Sequence, residues 1–160
     1  NQTYTAMGLM SFFKGVGEKI FGNHTQVEPA KAAEVEPLRA SALLAHVKQL
    51  GLAYNSLTIR TNGDTVSIVG EVAKQEDAEK IALAVGNVEG VKVVDNQLTV
   101  AEPEEEAQYH EVVKGDTLSK IAKHYYGDMM KYPVIFEANK PMLKDANLIY
   151  PGQLLRSPPL

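Results

Sequence analysis

Two periods of apolar and polar positions run along this chain, and the switches between them mark its elements. Near the front, Leu9, Met10, Phe12, Phe13, Val16, Ile20 and Phe21 fall at near-helical spacing, interrupted by Gly15 and Gly17. That reads as a short, imperfect helix packing on something else. The following GNHTQVEPAKAAEVEP, residues 22–37, has no period and reads as a loop. LRASALLAHVKQL then places Leu38, Ala42, Leu43, Ala45, His46, Val47 and Leu50 on one helical stripe, stopped by Gly51. The period next drops to two: Leu57, Ile59 and Thr61, a turn at Asn62-Gly63-Asp64, then Val66, Ile68 and Gly70. Asn-Gly is a strong hairpin signal, because both central residues of the tight turn would take positive φ. A second helix follows in AKQEDAEKIALAVGNV, with Ala78, Ile81, Ala82 and Val85 inward, and VEGVKVVDNQLTV supplies a further strand.

Ala101 to Gln108 (AEPEEEAQ) has a proline, four acidic residues and no period. Like charges extend a chain, so this stretch reads as a boundary between domains. Beyond it, YHEVV predicts a strand, DTLSKIAKHYYG a helix capped by Asp116 or Thr117 and stopped at Gly127, and QLLRSP a closing strand. MMKYPVIFEANK predicts another helix, starting near Lys131 because Pro133 is tolerated only in a first turn. The expected division is 7–37 as an N-terminal helical segment and loop, 38–100 as a first domain, 101–108 as linker and 109–160 as a second domain. Residues 1–6 (NQTYTA) are polar and unpatterned, read as a leftover from expression, and are set aside from the fold.

Composition narrows the function classes. A formal net charge of −4 argues against a nucleic-acid binder, which would show a basic patch. The chain has no cysteine, which removes disulfides, zinc–thiolate sites and thiol nucleophiles. No apolar run approaches the ~20 residues needed to span a bilayer. From Met7, the apolar run stops at Lys14, with Glu18 and Lys19 beyond, so a secretory signal is not expected and a cytoplasmic location is. His24, His46, His110 and His124 are scattered without metal-ligand spacing, and no nucleophile elbow or paired-carboxylate site appears. A binding protein is expected, not an enzyme.

Residues 43–100 resemble the BON domain family, on the hairpin ending VSIVGEV, the helix, and VEGVKVVDNQLTV. Residues 109–158 resemble the LysM domain family, on YHEVVKGDTLSKIAKHYYGD, IFEANK and IYPGQLLRSP in that order. Together these imply an α+β chain of two small domains: one sheet with helices on one face, then a βααβ unit. The LysM resemblance implies a glycan groove between Gly115, Asp116, Thr117, Leu118 and Asn147, Leu148, Ile149, Tyr150, with peptidoglycan or another N-acetylglucosamine glycan as alternative ligand. The same residues also serve as a helix cap and a turn.

The order BON then LysM, behind MGLMSFFKGVGEKIFG, resembles the bacterial cytoplasmic potassium-binding protein family. That resemblance implies a monomeric K⁺ sensor or buffer that compacts on selective binding, with Rb⁺ or Cs⁺ as substitutes. K⁺ suits a ring of neutral carbonyls, as in channel filters, whereas carboxylate-rich loops suit Ca²⁺. On this resemblance, the expected ligands are main-chain carbonyls of Phe13, Val16, Glu18, Gly86 and Val88, with a sixth near Ile135. Glycines in FKGVGE and VGNVEG permit the required backbone, although each stretch also reads as a plain turn.

Overall fold

The computed structural model describes residues 2–5, 20–21 and 28–160, the first of these as backbone only. The three expected ligands Phe13, Val16 and Glu18 lie outside the described residues.

Helix α1 spans Ala32–Gln49 and is preceded by a 3-10 turn at Pro29–Lys31. It therefore begins six residues before Leu38, inside the expected loop, and carries Pro37 within it. Proline so near a helix start forfeits one backbone bond, and Glu36 anchors that turn from the side. Its carboxylate accepts from the Gly63 N–H at 2.7 Å and from Thr61 Oγ1 at 3.2 Å. The inward face carries Leu43, His46 and Val47 and also Arg39, while Leu38, expected to face inward, is exposed. Arg39 lies over the buried Phe21 ring, 4.8 Å from its centroid.

Strands β2 (Ser56–Asn62) and β3 (Thr65–Lys74) form the hairpin. The turn differs in detail from the expectation. Asn62 pairs with Thr65, leaving Gly63-Asp64 as the central residues, and only Gly63 has positive φ, at 62°. Helix α2 (Gln75–Gly86) then crosses over to β4 (Val93–Glu102), which runs parallel to β3. Ala78, Ile81, Ala82 and Val85 are all buried against the sheet, as their spacing predicts. Val66, Ile68 and Val72 of β3 and Val94 of β4 face the helices, while Thr58, Arg60 and Val69 face away. The sheet order is β1 (Gln2–Thr5), β4, β3, β2, with helices on one face.

Strand β1 is Gln2–Thr5, antiparallel to β4 with Thr3 opposite Asp95. Residues 1–6 have no internal period, and the strand exists because β4 offers an open edge to a Thr- and Tyr-containing segment.

The second unit has strands β5 (Gln108–Glu111) and β6 (Leu154–Ser157), antiparallel, and helices α3 (Leu118–Tyr126) and α4 (Tyr132–Ala138). Thr117 caps α3 by accepting from the Lys120 N–H, and Gly127 ends it at φ 74°. Two antiparallel strands alone would be marginal, and a core of Val112, Leu118, Ile121, Ile135, Leu143 and Leu155 supports them. The linker is short: β4 runs to Glu102 and β5 begins at Gln108. Among the described residues no helix is long and apolar enough to cross a membrane.

Candidate functional site

The two units meet along α2 and β6. Met142 and Leu154 of the second unit are buried in the hydrophobic core of the first. Glu79 is fully buried on α2 and has four hydrogen-bond donors. Arg156 Nε and Nη2 reach Oε1 at 3.0 and 2.7 Å, and the Ala107 N–H and Gln75 Nε2 reach Oε2, each at 3.1 Å. Arg156 Nη1 also donates to the Ala138 carbonyl. A buried ion pair is tolerable only when its remaining polar atoms are satisfied in this way.

Both α2 and α4 end at this seam, and the residue after each is an asparagine. The carbonyls of the last α2 turn are taken in sequence. Leu83 accepts from the Asn87 N–H, Ala84 from His46, and Val85 from the Val88 N–H. Burial pushes the His46 imidazole below its ordinary pKa, and the bond to Ala84 partly opposes that. The Asn87 side chain turns across the seam: Nδ2 donates to the Leu154 carbonyl at 3.0 Å, and Oδ1 accepts from the Leu154 N–H at 2.8 Å.

Asn139 repeats the arrangement two residues along the same strand. Its Oδ1 accepts from the Arg156 N–H at 2.9 Å, and its Nδ2 donates to the Arg156 carbonyl at 2.9 Å and the Ile135 carbonyl at 2.7 Å. The Asn139 N–H bonds back to Phe136, so the Ile135 carbonyl takes the side chain in place of the usual backbone donor.

Of the expected carbonyl residues, Gly86 and Val88 flank Asn87, and Ile135 is held by Asn139. All three are buried, and two helix C-termini with their partial negative charge are fastened to one strand. The Val88 carbonyl also accepts from the Val91 N–H. A carbonyl oxygen has two lone pairs, so these internal bonds leave Val88 and Ile135 capacity for a cation. Next to Val88 in the chain, the Glu89 Oε2 is buried and makes no hydrogen bond among the described residues. Gly90 closes the loop at φ 104°, where a Cβ would stand 2.9 Å from the Phe21 ring. Among the described residues no three His, Cys, Asp or Glu gather as a metal cluster.

The expected glycan residues only partly share a surface. Asp116, Thr117, Leu118, Asn147 and Ile149 line a cleft of about 370 Å³ with Tyr132, whereas Gly115, Leu148 and Tyr150 do not line it. Asp116 is engaged from behind, by His110 Nε2 at 2.8 Å and the Val113 N–H at 3.0 Å. Burial pushes its carboxyl up, but these two bonds together hold it below the ordinary aspartate value.

Sequence reasoning missed Glu79, Asn87, Asn139 and Arg156. The available signal was an asparagine just after the end of two helical stretches, in AVGN and FEAN. That pattern is indistinguishable from an ordinary helix stop.

The BON domain family matches residues 38–102 and the LysM domain family residues 110–158. The chain is 39% identical over 157 residues to the potassium binding protein Kbp of Escherichia coli O6:H1, covering 95% of this chain and 99% of that one. An uncharacterized protein of Deinococcus radiodurans is 35% identical over 131 residues, covering 74% of this chain and 51% of that one.

Proposed function

The chain belongs to the family of potassium-binding proteins in which a BON domain precedes a LysM domain, and on that premise we propose that it binds K⁺ at the seam between its two domains. The ion is held by main-chain carbonyls of Gly86, Val88 and Ile135, completed by Phe13, Val16 and Glu18 of the N-terminal segment. The observation that supports this reading is that Asn87 and Asn139, each just after a helix, bond to one edge of β6, so that two helix C-termini with their partial negative charge lie near the same strand. The buried Glu89 oxygen, next in the chain to Val88 and without a hydrogen bond among the described residues, is a polar atom whose burial a cation would offset.

Such a donor set favours a large, weakly hydrated monovalent ion, with Rb⁺ and Cs⁺ as substitutes. Because ligands come from both domains and from the front of the chain, the ion stabilises the docked arrangement over looser ones. The protein acts as a K⁺ sensor or buffer, without catalysis. Binding adds stability as RT ln(1 + [L]/Kd), about 2.7 kcal/mol at a hundredfold excess over Kd.

The test is thermal unfolding and scattering radius in K⁺ and in Na⁺ at matched ionic strength. Millimolar K⁺ is expected to raise the Tm and compact the protein while Na⁺ does neither. Equal responses to both ions would overturn the proposal. The cleft at Asp116–Ile149 favours one other reading, glycan binding, and sedimentation with peptidoglycan reads it separately.

A further inference from the structure

We infer that Asn87 and Asn139 are positioning residues which jointly set the carbonyl geometry of the seam, and with it the size of ion accepted. The inference rests on the K⁺ reading above and adds to it the means by which domain docking and ion selectivity are one event.

Strand β5 pairs along one side of β6, and on the other side the N–H and C=O groups of Leu154 and Arg156 would be left without a strand partner. A buried strand edge must satisfy those groups. Here two carboxamides do so, each presenting one acceptor and one donor, as a peptide group would. Asn87 serves Leu154 at 2.8 and 3.0 Å, and Asn139 serves Arg156 at 2.9 and 2.9 Å. Both asparagines are buried, at 3% and 1% exposure.

The two clamps come from different domains, and each grips the backbone at a helix end. Asn87 lies between Gly86 and Val88, so the two bonds its side chain makes to Leu154 anchor the stretch of backbone that carries both neighbouring carbonyls. Asn139 touches the Ile135 carbonyl directly, since the second hydrogen of Nδ2 goes there. The strand thus acts as a common ruler: Leu154 and Arg156 stand two residues apart, roughly 6.6 Å along a strand, and each helix end is tied to one of these two points. A rigid spacing distinguishes ions by radius, whereas a compliant one accepts several.

Asparagine is specifically suited to this task. Aspartate would lose the donor and set a negative oxygen against the Leu154 carbonyl. Alanine would leave two buried backbone groups unsatisfied on β6.

The experiment is calorimetric titration of the full chain with K⁺, Na⁺ and Rb⁺ for the wild type, Asn87→Ala, Asn139→Ala and Met142→Ala. Circular dichroism reports folding. Met142 is buried in the same seam but has no part in the clamps, so its truncation lowers stability without redirecting a carbonyl. In each asparagine variant the K⁺-over-Na⁺ preference is expected to fall at least about tenfold, the equivalent of one lost hydrogen bond. Met142→Ala is expected to keep the wild-type preference. Folded Asn87→Ala and Asn139→Ala proteins with the wild-type preference would overturn the inference.

Should the alanine variants fail to fold, NMR of the wild type decides. The side-chain amides of Asn87 and Asn139 and the backbone amides of Leu154 and Arg156 should shift with K⁺ and saturate at the calorimetric Kd. Unmoved resonances at saturating K⁺ would overturn it equally. A wild type that ignores K⁺ in calorimetry is a different result, and it overturns the proposed function itself.

Discussion

Glu89 is the residue whose environment most needs an explanation. Buried carboxylate oxygens normally accept hydrogen bonds, and its Oε2 accepts none among the described residues. If it supplies counter-charge to a cation beside Val88, Glu89→Gln should weaken K⁺ binding by about 1–2 kcal/mol, or roughly tenfold, through the lost Coulomb attraction in a partly buried site. Calorimetry checks this, and an unchanged Kd would remove Glu89 from the account. At this scale the sequence was legible where a residue acts on its own neighbours. Thr117 capping α3 and Gly127 ending it follow from local chemistry alone. Asn87 and Asn139 were not legible, because their function depends on a strand 67 and 17 residues away in the chain.

Elements repeat the lesson with different causes. The hairpin, α2 and the βααβ unit follow from apolar period and turn chemistry, and all are present. Helix α1 begins early because Glu36 ties its first turns to Thr61 and Gly63, a tertiary contact that outweighs the local signal of Pro37. Strand β1 likewise needs β4 before it has any reason to form. The loop from Gly86 to Gly90 is the element on which the proposed ion site depends, and its closing residue allows a direct test. Alanine at Gly90 would need a strained positive φ and would press on the Phe21 ring. Gly90→Ala should therefore destabilise the protein by about 1–3 kcal/mol and weaken K⁺ binding as well. Thermal unfolding with and without K⁺ separates the two effects. A variant with wild-type Tm and K⁺ response would mean that the loop is not held against Phe21 as described.

At the scale of the whole molecule, two domains recognisable from their own sequences are joined by contacts that neither sequence announces. The Glu79–Arg156 pair spans 77 residues and is almost fully buried. Removing one partner strands the other charge, so Glu79→Ala should cost about 3–5 kcal/mol in urea unfolding. Replacing both with methionine should cost far less, since an apolar pair of similar volume carries no desolvation penalty. Equal losses in the single and double variants would show that the ion pair itself holds the seam.

The central claim is that a monovalent cation binds where α2 and α4 end against β6. Crystals grown with Rb⁺ in place of K⁺ test it most directly, because the anomalous signal locates the ion without reference to any assumed ligand. The account predicts one strong peak within direct coordination distance of the Gly86, Val88 and Ile135 carbonyl oxygens. A peak elsewhere, or none at all with Rb⁺ binding established in solution, would contradict it.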